Sequence, residues 1–272
     1  LISCEFHLTF KNQIKNKQMK VLNILFYISF ISLGFISCNE EHDFLSTVTP
    51  VSGSAKLKVI HTAPDTSGFT LKIDNVIVSG VNTILSSTVT TPGVITFGSF
   101  FPLAEYFTVN PGARKLTVGF ATTDPKVTVD LTADLNLSAN KFYSAYLVGV
   151  KPNYSVILGE DIFPALEAKK THVKFVNTVS NTPANGYEFL VNNVVVDTKT
   201  TITKGQDVFI PLDQDGTARY TIVVIEKGTT TALSTLSNQN FVRGRVYTVL
   251  ARGIHGSTST TQRVTIQTFT NN

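Results

Sequence analysis

From Ala55 onward the chain is made of short runs rich in Val, Ile, Thr, Phe and Tyr, separated by Gly, Pro, Asn and Asp, and no stretch holds a helical apolar period. That texture restricts the fold more than any other feature, because many short runs closed by turn residues predict an all-β sandwich or barrel. Within the runs apolar residues recur at every second position, as in Leu57 and Val59, in Phe69, Leu71 and Ile73, and in Leu116, Val118 and Phe120. A period of two predicts strands with one buried and one solvated face.

The runs also occur twice. Lys58-Val59-Ile60-His61-Thr62 matches Lys174-Phe175-Val176-Asn177-Thr178, 116 residues on, and residues 69–76 match 187–194 at 118. Leu116-Thr117-Val118 falls on Tyr220-Thr221-Ile222 and Phe142-Tyr143 on Val246-Tyr247, both at 104. Landmarks in one order at similar offsets predict two tandem copies of a domain-sized unit. The expectation is two immunoglobulin-like β-sandwich domains, 55–162 and 171–272, joined by a linker at 163–170. Asp74-Asn75 and Asn192-Asn193 stand where tight hairpin turns are wanted, since Asn and Asp tolerate positive φ. Ala139-Asn140 and Arg243-Gly244 serve the same purpose ahead of Tyr143 and Tyr247. The fall in offset from 118 to 104 gives the first unit about 14 extra residues between 80 and 116, expected around 86–93.

Ahead of the strands, Met19-Lys20 is followed by an apolar run over 21–36 that closes on small residues before Cys38. This is the charged, apolar and cleavage-site order of a secretory signal. Phe35-Ile36-Ser37-Cys38 resembles the lipobox of bacterial lipoproteins, which implies a signal peptide at 19–37 and lipid attachment at Cys38. Several acyl chains are needed there, because each buried CH₂ contributes about 0.8 kcal/mol and one chain anchors only marginally. Residues 1–18 are read as upstream translation before Met19, and 38–54 as a polar tether. The acidic cluster Asn39-Glu40-Glu41-His42-Asp43 resembles the surface-export signal of Bacteroidetes-type lipoproteins. The expected location is the cell envelope, lipid-anchored to the outer membrane and surface-exposed, with the membrane as a partner through the anchor. Four lysines and one glutamate precede Cys38, so 23 basic and 19 acidic residues become 19 and 18 in the mature chain. A balance this close to neutral offers nucleic acid no attraction. Cys4 and Cys38 are the two cysteines, so the mature chain has no partner for an internal disulfide.

Lys56 to Asp65, KLKVIHTAPD, resembles the opening motif of DUF4397, a domain-of-unknown-function family. The likeness continues through Leu71-Lys72-Ile73-Asp74-Asn75, Phe97-Gly98, Asn110-Pro111-Gly112-Ala113-Arg114 and Ala139-Asn140-Lys141-Phe142-Tyr143. The second unit is more diverged, with Asn177-Thr178-Val179-Ser180-Asn181 where the motif would stand. The resemblance implies a secreted or surface β-sandwich module, often paired and often lipid-anchored, with no catalytic residues to carry over.

Individual residues point the same way. Asn177 replaces His61 in the second unit, and the two share hydrogen bonding but not basicity, so a structural tie to the following turn is expected. His42, His172 and His255 show no metal-ligand spacing, and no metal site or cofactor is expected. Asp213-Gln214-Asp215-Gly216 looks like a calcium-loop fragment but lacks the distal ligands, so it reads as a turn. Phe100, Phe101, Tyr106 and Phe107 form an aromatic cluster and are the candidate ligand surface for a glycan or an envelope or host protein; packing in the core and at its edge is the leading expectation, with some exposure because so many apolar residues in one short span cannot all face one core. No nucleophile elbow, phosphate loop or dinucleotide fingerprint occurs, so no catalytic residue is assigned. The expected function is a non-enzymatic envelope protein whose modules serve adhesion, spacing or ligand display. The alternatives are a glycan-binding lipoprotein of a polysaccharide uptake system, favoured by an exposed aromatic groove at 100–107, and a hydrolase, favoured by converging carboxylates or histidines near 163–171.

Overall fold

Turn residues and period-two runs build strands throughout the computed structural model, which describes residues 52–271 apart from 67, 80, 84–89, 121–128 and 200–207. The leader, Cys38 and the acidic cluster lie outside the described residues, as does the first half of the 86–93 stretch. The described residues belong to one compact unit, Phe44–Asn272. Among them there are strands and no helix, and none that could cross a membrane as a helix.

The first half contains β1 (Ala55–His61), β2 (Phe69–Ile73), β3 (Val76–Ile77), β4 (Val81–Thr83), β5 (Thr90–Pro92), β6 (Phe100–Phe101), β7 (Phe107–Val109), β8 (Gly112–Phe120), β9 (Val129–Leu137), β10 (Phe142–Val150) and β11 (Asn153–Glu160). The second contains β12 (Lys170–Asn177), β13 (Tyr187–Val191), β14 (Val194–Lys199), β15 (Ile210–Asp213), β16 (Tyr220–Glu226), β17 (Ala232–Gln239), β18 (Val246–Arg252) and β19 (Thr265–Thr270). In the first sandwich the sheet β11-β10-β1-β6, with β7 also on β1, faces β3-β2-β8-β9; in the second, β15-β12-β18-β19 faces β14-β13-β16-β17. Each sandwich has one parallel pair, β1 with β10 and β12 with β18, and the other pairings in these sheets are antiparallel. β4 and β5 form a small ribbon of their own.

Inward-facing residues of both sheets make one core per sandwich. Leu57, Val59, Phe69, Leu71, Leu116 and Val118 fill the first, and Val173, Phe175, Tyr187, Phe189, Ile222 and Val224 the second. Each such side chain contributes roughly 1.5–3 kcal/mol through burial. Asp74, Asn75, Asn192 and Asn193 all have positive φ, as two-residue hairpin turns require. The backbone N–H of Ser138 donates to the Tyr143 hydroxyl (3.0 Å), and that of Val242 to the Tyr247 hydroxyl (3.0 Å). This tyrosine corner is a feature compatible with an immunoglobulin-type sandwich.

The expectation of one buried face per strand fails on the central strands. β1, β10, β12 and β18 are buried on both faces over most of their lengths. The reason is a third core, Ile60, Tyr146, Val148, Val176, Leu250 and Phe269, in which the outward faces of the two parallel pairs meet. The 163–170 segment packs on both sandwiches. Phe163 lies against Tyr106, Phe142 and Phe209.

Candidate functional site

The alternation that sends Leu57 and Val59 into the first core sends Lys58 the other way, into the seam between the sandwiches. Lys174 on β12 does the same from the opposite side, and both lysines are fully buried. Lys58 Nζ donates to the carbonyls of Ala104 (2.6 Å) and Thr270 (3.1 Å), so it reaches across to the second sandwich. It also sits 5.2 Å from the ring centroids of Phe100 and Tyr106 and 5.3 Å from that of Phe269, where ring faces attract a cation. Lys174 Nζ donates to Asp161 Oδ1 of the first sandwich and lies 5.3 Å from the Phe209 ring.

Asp161 is held from its other side. Its Oδ2 accepts from the Tyr106 hydroxyl (2.7 Å) and from Ser144 Oγ (2.6 Å). Asn271 occupies the corresponding place in the second sandwich: its N–H donates to the Val246 carbonyl as that of Asp161 does to Phe142, both at 2.8 Å. Asn271 Oδ1 accepts from Thr248 Oγ1 (2.8 Å), and its Nδ2 donates to the Tyr106 hydroxyl (2.7 Å). The register repeats as well, with Lys58 opposite Ser144 and Lys174 opposite Thr248. The matched halves differ in one charge, since a carboxylate stands on one side and a carboxamide on the other.

That arrangement puts two ammonium groups beside one carboxylate. Burial pushes the Lys58 ammonium down to about 8, with the charges of Asp161 and Glu105 opposing it. Burial and the adjacent Asp161 charge hold the Tyr106 hydroxyl well above its ordinary value, so it stays a donor. Further along the seam, Arg252 stacks 4.3 Å from the Phe97 ring centroid and donates to Gln267 Oε1 (2.8 Å), while Gln267 donates to the Gly98 carbonyl.

The aromatic cluster expected to form a ligand surface is turned inward. Phe100 packs on Phe269 (5.1 Å between centroids) in the third core, and Tyr106 is only 8% exposed. Phe101 and Phe107 face one another at 5.5 Å and pack against the first core. Phe100, Phe101 and Phe107 remain half-buried, so the cluster packs at the edges of two cores. Leu103 is the large apolar side chain of this stretch that remains in solvent.

His61 Nε2 and Thr66 Oγ1 lie 2.7 Å apart, and Asn177 Nδ2 donates to Thr182 Oγ1 at 3.0 Å, so both residues tie the turn five positions on. Burial, with Arg252 nearby, pushes the imidazole down to about 4. The hydroxyls of Thr62 and Thr178 repeat a second tie, to the carbonyls of Leu147 and Ala251. Asp215 Oδ1 accepts from the N–H groups of Thr217 and Ala218, which makes 213–216 a turn. Around 163–171, Asp161 is sealed in the seam, Glu167 lies 3.7 Å from His172, and Asp213 pairs with Lys170 at 2.5 Å. Among the described residues no three His, Cys, Asp or Glu side chains gather as a metal site. Sequence patterning alone does not anticipate the buried lysines, although two lysines at matching places in otherwise apolar strands are the available signal.

Residues 55–185 match the family described as a domain of unknown function, DUF4397. The DUF4397 match spans the first sandwich and the 163–170 segment and runs into the second sandwich beyond β12, so it takes in Lys58, Tyr106, Ser144, Asp161 and Lys174 but not Thr248 or Asn271. No curated protein matches the sequence. Nine chains of solved structures match, among them one titled "Alpha-glucan binding by a streptococcal virulence factor", 9% identical over 80% of this chain and 97% of that one, with a TM-score of 0.24. At that superposition the likeness does not transfer a ligand.

Proposed function

We propose that the chain is a non-enzymatic, lipid-anchored envelope protein in which two tandem copies of one β-sandwich unit act as a stiff spacer for adhesion or display. The observation that supports this reading is the sealed seam. A third apolar core with buried lysines from both sides joins the sandwiches, which suits a member meant to hold a distance. Most inter-domain surfaces within one chain are more polar and permit relative motion. The inward turn of Phe100 and Tyr106 favours this reading over a stacking platform for glycans. The leader and Cys38 supply the anchor, and the acids behind Cys38 supply the outward address.

The test follows the anchor and the reach together. Cells making the wild-type chain or a Cys38→Ser variant are labelled with palmitate, fractionated, and treated with protease from outside. The reading expects label and membrane retention to depend on Cys38, and the wild type to be accessible to the protease. A Cys38→Ser chain that stays membrane-bound and unlabelled like the wild type refutes the anchor. A labelled chain shielded from protease refutes surface display.

A further inference from the structure

The ion pair at the centre of the seam is a reactive arrangement as well as a structural one. The side chains of Lys174 and Asp161 are both sealed from solvent. Removing two charges from water costs several kcal/mol per ion, and a proton transfer that leaves a neutral amine beside a carboxylic acid relieves that cost. Lys174 Nζ is in direct contact with Oδ1, while two hydroxyls, those of Tyr106 and Ser144, donate to Oδ2. Two preorganised donors on one carboxyl oxygen stabilise negative charge as it develops there. The Phe209 ring lies 5.3 Å from Lys174 Nζ, and the complete burial of both side chains keeps out the water that would reverse a condensation.

We propose that Lys174 and Asp161 condense to an intramolecular isopeptide bond that fastens the first strand of the second sandwich to the end of the first. The Lys174 ammonium passes a proton to Oδ1, and the resulting amine attacks Cγ. The electron pair displaced from the carbonyl resides on Oδ2, held by the Tyr106 and Ser144 hydroxyls. A second nitrogen proton goes to Oδ1, the Cγ–Oδ1 bond breaks, and water leaves. Ammonium plus carboxylate thus becomes secondary amide plus water, with no change of oxidation state and no cofactor. The corresponding place in the other half carries Asn271, and Lys58 donates there to backbone carbonyls, so one bond is assigned and not two.

The test is mass spectrometry of the full chain after denaturing tryptic digestion. The expected product is a branched peptide joining the stretch that carries Asp161 to the one that carries Lys174, lighter than their sum by one water and uncleaved after Lys174. A Lys174→Met/Asp161→Leu double variant removes both charges at once, avoids an unpaired buried ion, and is expected to yield only linear peptides. Tyr106→Phe, with one donor fewer on Oδ2, is expected to form the branched peptide about a hundred-fold more slowly. Linear peptides only from the wild type, with ordinary cleavage after Lys174, overturn the proposal. An unchanged rate in Tyr106→Phe overturns the role given to Oδ2.

Discussion

Replacing Lys58 by methionine isolates what it costs the seam to hold a buried ammonium. Burial lowers the Lys58 pKa from 10.5 to about 8, and at 1.36 kcal/mol per unit the protonated side chain costs the native state about 3 kcal/mol at neutral pH. The unfolded chain binds this proton more tightly than the native one does. Stability therefore rises with pH across the window from about 8 to about 10.5, and the cost is fully present below it. Integrated from about pH 7 to about pH 9.5, the gain is about 2 kcal/mol. Stopping there matters, because Tyr106, Tyr154 and Tyr187 have raised pKa values and pull stability down as unfolded phenols ionise above about 10. The assay is urea unfolding of the wild type and Lys58→Met at both pH values, read as the difference between the two proteins. The wild type should gain about 2 kcal/mol relative to the variant on going to the higher pH. The direction holds if Asp161 is consumed in an amide, since its charge opposes the shift. Equal pH dependence in the two proteins would refute the claim that Lys58 is held as a desolvated cation.

Removing the phenol from either corner, Tyr143→Phe or Tyr247→Phe, leaves one backbone N–H without its acceptor and should cost about 1 kcal/mol each in urea unfolding. His61→Asn should fold, because Asn177 fills the same role, and its pH profile should differ from that of the wild type. With the native imidazole depressed to about 4, wild-type stability is whole above about 6.5 and declines as pH falls toward 4, by up to about 3 kcal/mol, while thermal melts of the variant should lack that decline. Gly149→Ala should destabilise the first sandwich by about 3 kcal/mol or more, since Gly149 has φ +98° and an added Cβ would strike the Asn153 carbonyl; the melting temperature reports it. Gly253, at φ +120° and against the Arg263 and Gln262 carbonyls, should behave alike.

Period-two runs and Asn-rich turns make the strands and hairpins legible, because those signals act over neighbouring residues. Leu57, Phe69 and Leu116 can be assigned inward from alternation alone. The same rule misplaces the other face of β1 and β12, where Lys58 and Lys174 read as solvent-facing charges. What buries them is the other sandwich, reached through Thr270, 212 residues beyond Lys58, and through Asp161, 13 residues before Lys174 and across the seam, and no local pattern encodes that. Asp161 and Asn271 are hidden for a related reason: each follows a strand end in an irregular stretch, and their kinship shows only through the shared N–H bonds to Phe142 and Val246. The aromatic cluster is legible as far as its packing at a core and its edge; that Phe100 packs against a different core from Phe101 and Phe107 is not.

The parallel pairing of β1 with β10 also decides how the protein would meet a pull. β1 is hydrogen-bonded along one side to β10, from Lys56 opposite Phe142 to His61 opposite Leu147, and along the other to β6 and β7. A tug on the chain ahead of Ala55, directed along the strand, loads those rows in shear, so they must fail together. An edge hairpin pulled open from its end would instead lose its bonds singly, in succession. A tether attached at this strand joins the sandwich where it resists extension by many bonds at once.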